Sequence, residues 1–442
     1  MFIEQSAGRI RLVRTLFVLA GVMPCALLVG IAAWRHSSRH VEAVERQCEA
    51  LLGMPLEIGG VRHLRPGAMR LEQVALLSAA GEPILVLPAL DVEVSAVEVR
   101  LATERLECTP RVIAALAEIG GAWLDEPERF TKAWVVDVAD VAWPAEPGAA
   151  AMRTSGIHAE GATAAAARAV RVRREPQGPD EIRVQSSPRV GAGDAAGGEA
   201  GGRRVELHAV IDEPVPVALV AAMAGLPSAA AQAAGPAAVL QGSVAAVHEA
   251  GQWSGAMSGS LGRIDLAALT AKAMHRMTGE ADLEVTALEF AQGRLVAGEA
   301  NVSAVAGRVP QDFLNAIVNV LGCRTGPAFR SLASEVVRGY DDVACRVRID
   351  DRGLTIRAPG DRAGVVMRFQ GLAVLEEPTE PVPAERLAWL LAPPGRVPVP
   401  ASDATAWLIS RLPSGAAAPT AGAVGGRELP PRAERPGRRE EF

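Results

Sequence analysis

Aromatic residues and lysine are both scarce in this sequence of 442 residues. Phe, Trp and Tyr make up 4% of the chain, which is too little for the aromatic belts of a transmembrane β-barrel, so that class is disfavoured. Lys132 and Lys272 are the only lysines, the net charge is −6, and no cluster of basic residues stands out. We therefore expect no nucleic-acid partner, because phosphate binding requires such a cluster.

Motifs for catalysis and cofactor binding are also missing. The sequence has no phosphate-binding loop, no dinucleotide fingerprint, no nucleophile elbow and no H-E-x-x-H zinc motif. The five cysteines have no C-x-x-C spacing, which argues against a zinc or thioredoxin-type site. Cys323 and Cys345 are compatible with a disulfide in an oxidising compartment or with two buried thiols. We expect no catalytic residue, no metal, no cofactor and no enzymatic activity.

The seven histidines are scattered along the chain. His36 and His40 lie one helical turn apart, which would suit a metal, but the neighbouring arginines favour a solvated helix face. An enzyme of unrecognised type would require a closed pocket, and its candidate residues are His158, His208 and His248 together with carboxylates.

One uncharged run dominates the hydropathy pattern, from Thr15 to Trp34, with Arg14 before it and Arg35 after it. A helix of this length spans about 30 Å, the thickness of the hydrocarbon core. Cleaved signal peptides have apolar runs of only about 7–15 residues, so a retained transmembrane helix is the favoured interpretation over a signal peptide. A slight excess of arginine before the run predicts that residues 1–14 are cytoplasmic and that the remainder lies outside.

The rest of the chain divides into a short helix, a long β region and a tail. Residues 35–53 show the three- and four-residue spacing of an amphipathic helix. Residues 54–412 are predicted to form a β domain with a mobile loop near 191–202, because that loop is rich in Gly and Ala. Residues 413–442 are rich in Ala, Gly, Pro and charged residues, and are predicted to be disordered.

Within the β domain, an alternating apolar and polar pattern predicts strands. The predicted strands are Leu56–Val61, Met69–Leu77, Ile84–Leu101, Ala133–Trp143, Ala169–Arg173, Ile182–Gln185, Val205–Ile211, Val239–Val247, Gln252–Leu261, Ala281–Phe290, Leu295–Val305, 343–350, Leu354–Ala358 and Gly364–Leu375. The predicted helices between and after them are 109–120, Pro214–Gly225, Asp265–Met277, Pro310–Leu321, Pro327–Val337, Pro383–Leu391 and Ser402–Leu412.

Two predicted hairpins carry apolar residues along one face, because alternate residues of a strand share a face. These residues are the candidates for lining a groove: Val296, Val302, Val343, Val347, Ile349, Leu354 and Ile356. The alternative is an ordinary β core in which two such apolar faces pack together.

Three stretches resemble the AsmA-like proteins of the bacterial envelope. They are Leu52–Val94, with its strand, Pro66-Gly67 turn and strand, and the later stretches Gln252–Leu269 and Tyr340–Pro359. The resemblance extends loosely over Arg35–Leu375. It implies a mainly β fold, in which one N-terminal transmembrane helix is followed by a long, curved antiparallel sheet. This sheet would form an open, half-barrel-like groove with short covering helices.

The resemblance also implies a function and a location. The chain would be a single-pass protein of the inner membrane with its bulk in the periplasm. It would hold phospholipid acyl chains in the groove, for lipid transport or outer-membrane homeostasis. The alternative from another class is a structural or assembly factor that binds other envelope proteins through its sheet edges or helices.

Overall fold

The computed structural model describes residues 12, 14–126, 128–143, 152–164, 167–175, 178–188, 203–223, 232–271, 275–330, 336–391 and 410–413. Among the described residues, 55% lie in strands that belong to one long, open sheet, which confirms the predicted mainly β fold. The predicted loop near 191–202 lies outside the described residues. The same is true of nearly all of the predicted N-terminal segment 1–14, the predicted tail and the predicted helix Ser402–Leu412.

The N-terminal helix α1 (Arg14–Arg35) is long and apolar enough to cross a membrane, and it packs against no core. Pro24 has no amide hydrogen, so the regular hydrogen-bonding pattern is interrupted just before it. The helix adjusts by a π-turn over Val18–Val22, in which the Met23 amide bonds to the Val18 carbonyl. A second helix, α2 (Ser38–Leu52), follows and ends at Gly53, which has a φ of 73°.

The sheet contains eighteen strands among the described residues. They are β1 (Leu56–Arg65), β2 (Ala68–Leu77), β3 (Pro83–Val94), β4 (Glu98–Glu107), β5 (Ala133–Trp143), β6 (Met152–Ala164), β7 (Ala167–Arg174), β8 (Glu181–Pro188), β9 (Arg203–Pro216), β10 (Val239–Glu249), β11 (Gln252–Asp265), β12 (Thr278–Ala291), β13 (Arg294–Pro310), β14 (Arg324–Thr325), β15 (Val337–Asp350), β16 (Gly353–Arg357), β17 (Val365–Phe369) and β18 (Leu372–Glu376).

Consecutive strands from β1 to β13 pair with one another, and β13 then pairs with β15. β15 pairs with β16 along one part and with β17 along another, and β17, β18 and β14 complete the end. The pairs are antiparallel except β4–β5, which is parallel. A parallel pair needs a crossover, and helix α3 (Pro110–Asp125) supplies it.

The remaining helices are short: α4 (Val217–Met223), α5 (Leu266–Leu269), α6 (Gln311–Leu321) and α7 (Glu385–Leu391). The Thr109 hydroxyl accepts a hydrogen bond from the Val112 amide at the start of α3, as expected for a capping threonine. Gly322, with a φ of 69°, ends α6.

The predicted strand Ile84–Leu101 is wrong, because this segment is the β3–β4 hairpin. Its turn begins at Ser95, whose hydroxyl oxygen accepts from the amides of Val97 and Glu98 at 3.3 and 2.9 Å. A serine turn without Gly or Pro leaves a weak signal in a sequence.

The predicted strand Gly364–Leu375 is likewise two strands, β17 and β18. Their turn has positive φ at both central residues, Gln370 and Gly371, which is the geometry of a type I′ hairpin.

Two predicted helices are also corrected. The helix Pro327–Val337 is wrong, because residues 327–330 form a turn and irregular structure and Val337 begins β15. The helix Asp265–Met277 is reduced to α5, because the Thr270 hydroxyl bonds to both the Leu266 carbonyl and the Met277 amide and closes the turn.

Candidate functional site: an apolar face with an open middle section

One row of directly opposed residues crosses the sheet and is apolar almost throughout. From β1 to β16, skipping β14, its members are His63, Met69, Val92, Leu101, Val136, Ala159, Val172, Ile182, Ala209, Val244, Met257, Leu288, Gly298, Ile349 and Leu354. We call this set the apolar row. Across fifteen strands at about 4.8 Å each, it is about 70 Å long.

The next row of residues points to the other face and is polar. On β5 to β8 it consists of Asp137, His158, Arg173 and Glu181. His158 Nδ1 lies 2.7 Å from Asp137 Oδ1, and Arg173 Nε lies 3.1 Å from Glu181 Oε2. This segregation of apolar and polar residues is what a sheet shows when one face meets water and the other meets something apolar.

Helices cover the apolar face at its N-terminal end. Leu71 of β2 and Val141 of β5 pack with Val112 and Ile113 of α3 in a buried cluster, against which Val44 of α2 also packs. Leu219 of α4 joins the margin of this cluster. The first five strands therefore share a closed core with these helices.

Helices also cover the C-terminal end of the same face. Leu314 of α6 is completely buried against Tyr340 and Met367 of the sheet. Leu321 of α6 and Leu390 of α7 are buried in the adjacent cluster. α6 and α7 therefore cover the buried apolar side chains of β15 to β18, whereas Val337 and Leu372 stay exposed.

The structure places most of the sequence-predicted lining residues under this C-terminal cover. Leu354 and Ile356 are 1% and 7% exposed, and half-buried Val343, Val347 and Ile349 pack against the same cluster. Val302 is directly opposite Cys345 and is half-buried.

Val296 is separated from these residues. It lies at a bulge near the β12–β13 turn and is 47% exposed.

The middle of the apolar row is less covered than its ends among the described residues, although α3 contacts β7 and β8, α4 contacts β9 and β10, and Ala209 is buried. Its members on β7 to β12 belong to none of the three buried clusters. Ile182, Val244 and Leu288 are half-buried, and Met257 is 37% exposed. A neighbouring row on the same face continues the pattern with Val170, Val184, Leu207, Ala246, Gly255 and Phe290. We call these two sets together the middle section.

Glycines at one pair of positions bend the middle section. Gly242 and Gly259 are directly opposed on β10 and β11, with φ values of 147° and 156°. A Cβ atom on Gly242 would lie 2.5 Å from the Gly259 Cα, so the two backbones meet too closely for any side chain. Such glycine pairs let a sheet curve.

Among the described residues, Arg168 is the one arginine buried on this face, at the border between the N-terminal core and the middle section. Its two terminal nitrogens donate to the carbonyls of Trp123 and Phe130, each at 2.5 Å, and its guanidinium lies 4.8 Å from the Trp123 ring centroid. Burial lowers the pKa of Arg168 from its ordinary value, and the positive charge of Arg203 lowers it further. The arginine satisfies carbonyls near the end of α3.

The three histidines considered for an enzyme do not converge. His158 belongs to the polar face, His208 is exposed opposite Arg183, and the His248 ring lies 5.0 Å from that of Trp253. Within the part of the chain that the structure describes, no group of three His, Cys, Asp or Glu side chains could hold a metal ion.

The four described cysteines outside α1 are free thiols, and Cys108 and Cys323 are buried. Burial raises the pKa of both to about 12, and Cys345 adds to the effect at Cys323. These thiols are poor nucleophiles.

Comparison of the chain with protein-family models, curated proteins and solved structures finds no match.

Proposed function

We propose that this chain is a membrane-anchored envelope protein of AsmA-like type. It would be held in the inner membrane by α1, with its bulk in the periplasm, and would bind phospholipid acyl chains along the middle section. The observation that supports the proposal is an apolar row that runs from β1 to β16 and whose middle members, among the described residues, lie outside the buried clusters that cover its two ends. Soluble proteins seldom expose continuous apolar surface of this extent without an apolar partner.

The dimensions of the middle section suit an acyl chain. Six strands at about 4.8 Å each give about 29 Å. The hydrocarbon of one leaflet is half of the bilayer's approximately 30 Å, or about 15 Å, so the middle section is longer than one acyl layer.

The covered ends limit the mechanism. Since α2 and α3 close one end and α6 and α7 close the other, lipid cannot slide along the full row within this chain. The protein would take up lipid at one membrane and pass it to a partner, an oligomer or a carrier. This would serve lipid transport or outer-membrane homeostasis.

The structural or assembly alternative receives less support from the sheet edges. At β1, the amides of Leu56 and Ile58 donate to the carboxylates of Glu49 and Glu45 at 3.2 and 2.8 Å, so this edge offers few free donors to a partner strand. At the other end, β14 has only two residues.

Photocrosslinking in cells tests the proposal. A photoreactive benzoylphenylalanine at Val184 should form an adduct with phospholipid, detectable by mass spectrometry of the purified full chain. The matched control is Arg183, the preceding residue of β8, whose side chain points to the polar face. Absence of a lipid adduct at Val184, or equal adducts at both positions, would contradict the proposal. Adducts with protein alone at either position would support the assembly-factor alternative.

A further inference from the structure

The end of α1 is connected through α2 to one end of the first strands of the sheet. The Trp34 ring lies 4.5 Å from that of His40 in α2, and His40 Nε2 lies 2.9 Å from Nε2 of His63 on β1. Trp34 and Arg35 end the apolar helix, where aromatic and basic residues typically mark the membrane surface. His63 therefore lies close to the level at which α1 would leave the bilayer.

The strand pairing places two turns at this same end of the strands. β1 ends and β2 begins at the turn 64–67, and β3 ends and β4 begins at the turn 94–98. The Val94 amide donates to the Gly67 carbonyl at 2.7 Å, which ties the two turns together. We call them the proximal turns. The β2–β3 turn lies at the far end of the same ten-residue strand, about 33 Å away.

The proximal turns carry apolar side chains that are exposed in the described structure. Val97 is 75% exposed, more than any apolar side chain of α1, and Leu64 and Val94 are 53% and 37% exposed. The Lys132 ammonium group donates to the Ser95 carbonyl at 2.7 Å and so lies beside them. Apolar side chains next to a basic group fit a bilayer surface, where the former insert and the latter meets phosphate.

We propose that the proximal turns rest on the same bilayer that α1 spans, and that lipid reaches the apolar row from there. The membrane is the occupant because α1 holds this edge at its surface. Lipid would enter at the middle section rather than through the closed N-terminal core, against which Met69 and Val92 pack. The alternating strand directions place Pro188 of β8 and Arg203 of β9 at the same end of the strands as the proximal turns. This inference rests on the proposed membrane anchor and specifies which edge of the domain faces the lipid.

Fluorescence quenching on the reconstituted full chain tests the inference. The protein is placed in vesicles of phosphatidylethanolamine with phosphatidylglycerol and labelled with bimane at one of three cysteines. Cys25 within α1 is native and exposed. Cys48 and Cys345 are free and only partly buried, so both are replaced by serine in every sample. Val97→Cys and Ala80→Cys, each combined with Cys25→Ser, report the proximal turns and the far β2–β3 turn. Spin-labelled lipids carry the quencher either near the headgroup or deep in the acyl region.

We expect several-fold stronger headgroup-level quenching at position 97 than at position 80, and deep quenching at Cys25. Quenching at Cys25 with none at position 97 would overturn the inference while leaving the anchor intact. Equal quenching at positions 97 and 80 would overturn it too, since the sheet would then lie flat. A Cys25 label that escapes both quenchers would contradict the anchor itself, and with it the proposed function.

A pair of substitutions tests whether the contact supplies lipid. Leu64→Asp with Val97→Asp should reduce the phospholipid adduct at Val184 several-fold, because two carboxylates would be repelled by an anionic surface. The control is Val86→Asp, at an equally apolar position that is 60% exposed near the far end of β3. An unchanged adduct in the double variant, with headgroup-level quenching lost, would show that lipid enters elsewhere.

Discussion

At the residue scale, the contact between His40 and His63 makes the junction of α2 and the sheet sensitive to pH. One imidazole donates and the other accepts, so the bond requires at least one neutral ring. Burial lowers the pKa of His63 from its ordinary value of 6.5, and the charges of Arg35, His40 and His36 lower it further. The folded chain therefore binds this proton less tightly than the unfolded chain.

The sign of the effect follows from linkage. The contribution of this contact to stability is complete above about pH 6.5 and is lost as the pH falls through the lowered pKa of His63. Thermal melting of the full chain should therefore drop on acidification from about pH 7.5 to about pH 5.5. His63→Phe should show a smaller drop, because the ring that resists protonation is gone. If the melting temperatures of both proteins fall equally on acidification, the His40–His63 contact does not cause the pH dependence.

Arg168 is the second residue whose substitution should have a large effect. Arg168→Met keeps an unbranched stem on the apolar face but leaves the Trp123 and Phe130 carbonyls without their donors. Buried unpaired carbonyls cost about 1–3 kcal/mol each, so the free energy of unfolding should fall by a few kcal/mol. Denaturant titration measures this. Arg183→Met on the polar face of the neighbouring strand is the control and should change stability little.

At the element scale, the alternation of apolar and polar residues is enough to predict the hairpins. It does not predict features that depend on contacts between segments far apart in the sequence. Alternation identified β12 and β13, and β15 and β16, because each strand carries apolar residues at every second position beside a glycine-containing turn. The β3–β4 turn was missed because Ser95 makes it through side-chain bonds. The parallel β4–β5 pairing could not be predicted, since it is set by where α3 packs.

The seven candidate residues illustrate the same limit for the site. The sequence correctly places Val343, Val347, Ile349, Leu354 and Ile356 on one face, because that depends only on period. Their cover by α6 and α7 depends on contacts between segments far apart in the chain. The sequence pattern does not predict the middle section, because its strands β7 to β9 contain few apolar residues. Loops also separate these strands, so no hairpin is evident there.

The edge of β1 yields a prediction for one element. Glu45→Ala removes the acceptor of the Ile58 amide. We expect the free energy of unfolding to fall by about 1–2 kcal/mol, within the range for a hydrogen bond to a charged group. The exchange of the Ile58 amide with deuterium should also become faster. Glu42→Ala removes an exposed carboxylate of the same helix and should leave both quantities unchanged. Equal effects of the two substitutions would contradict a role of the Glu45–Ile58 hydrogen bond.

At the scale of the whole molecule, one apolar face of the sheet is packed under helices in one part and less covered in another. Under α6 and α7 the face is a packed core, and in the middle section it is open within the described structure. Burying an unpaired charge in a packed core is very costly, whereas water or a lipid headgroup can reach a charge on an open face. Two valines, Val347 on β15 and Val184 on β8, are half-buried on this same face and provide a matched comparison.

Val347→Asp should lower the melting temperature of the full chain sharply, because its carboxylate would lie beneath α6. Val184→Asp should keep the melting temperature within a few degrees, because the fold survives. It should lose most of the co-purified phospholipid, because a carboxylate then lies on the surface that would bind the acyl chains. Thermal melting and lipid extraction on the same preparations measure both. If Val184→Asp unfolds as readily as Val347→Asp, the middle section is a closed core and the lipid proposal fails. If it keeps both its melting temperature and its lipid, the acyl chains bind somewhere other than the apolar row.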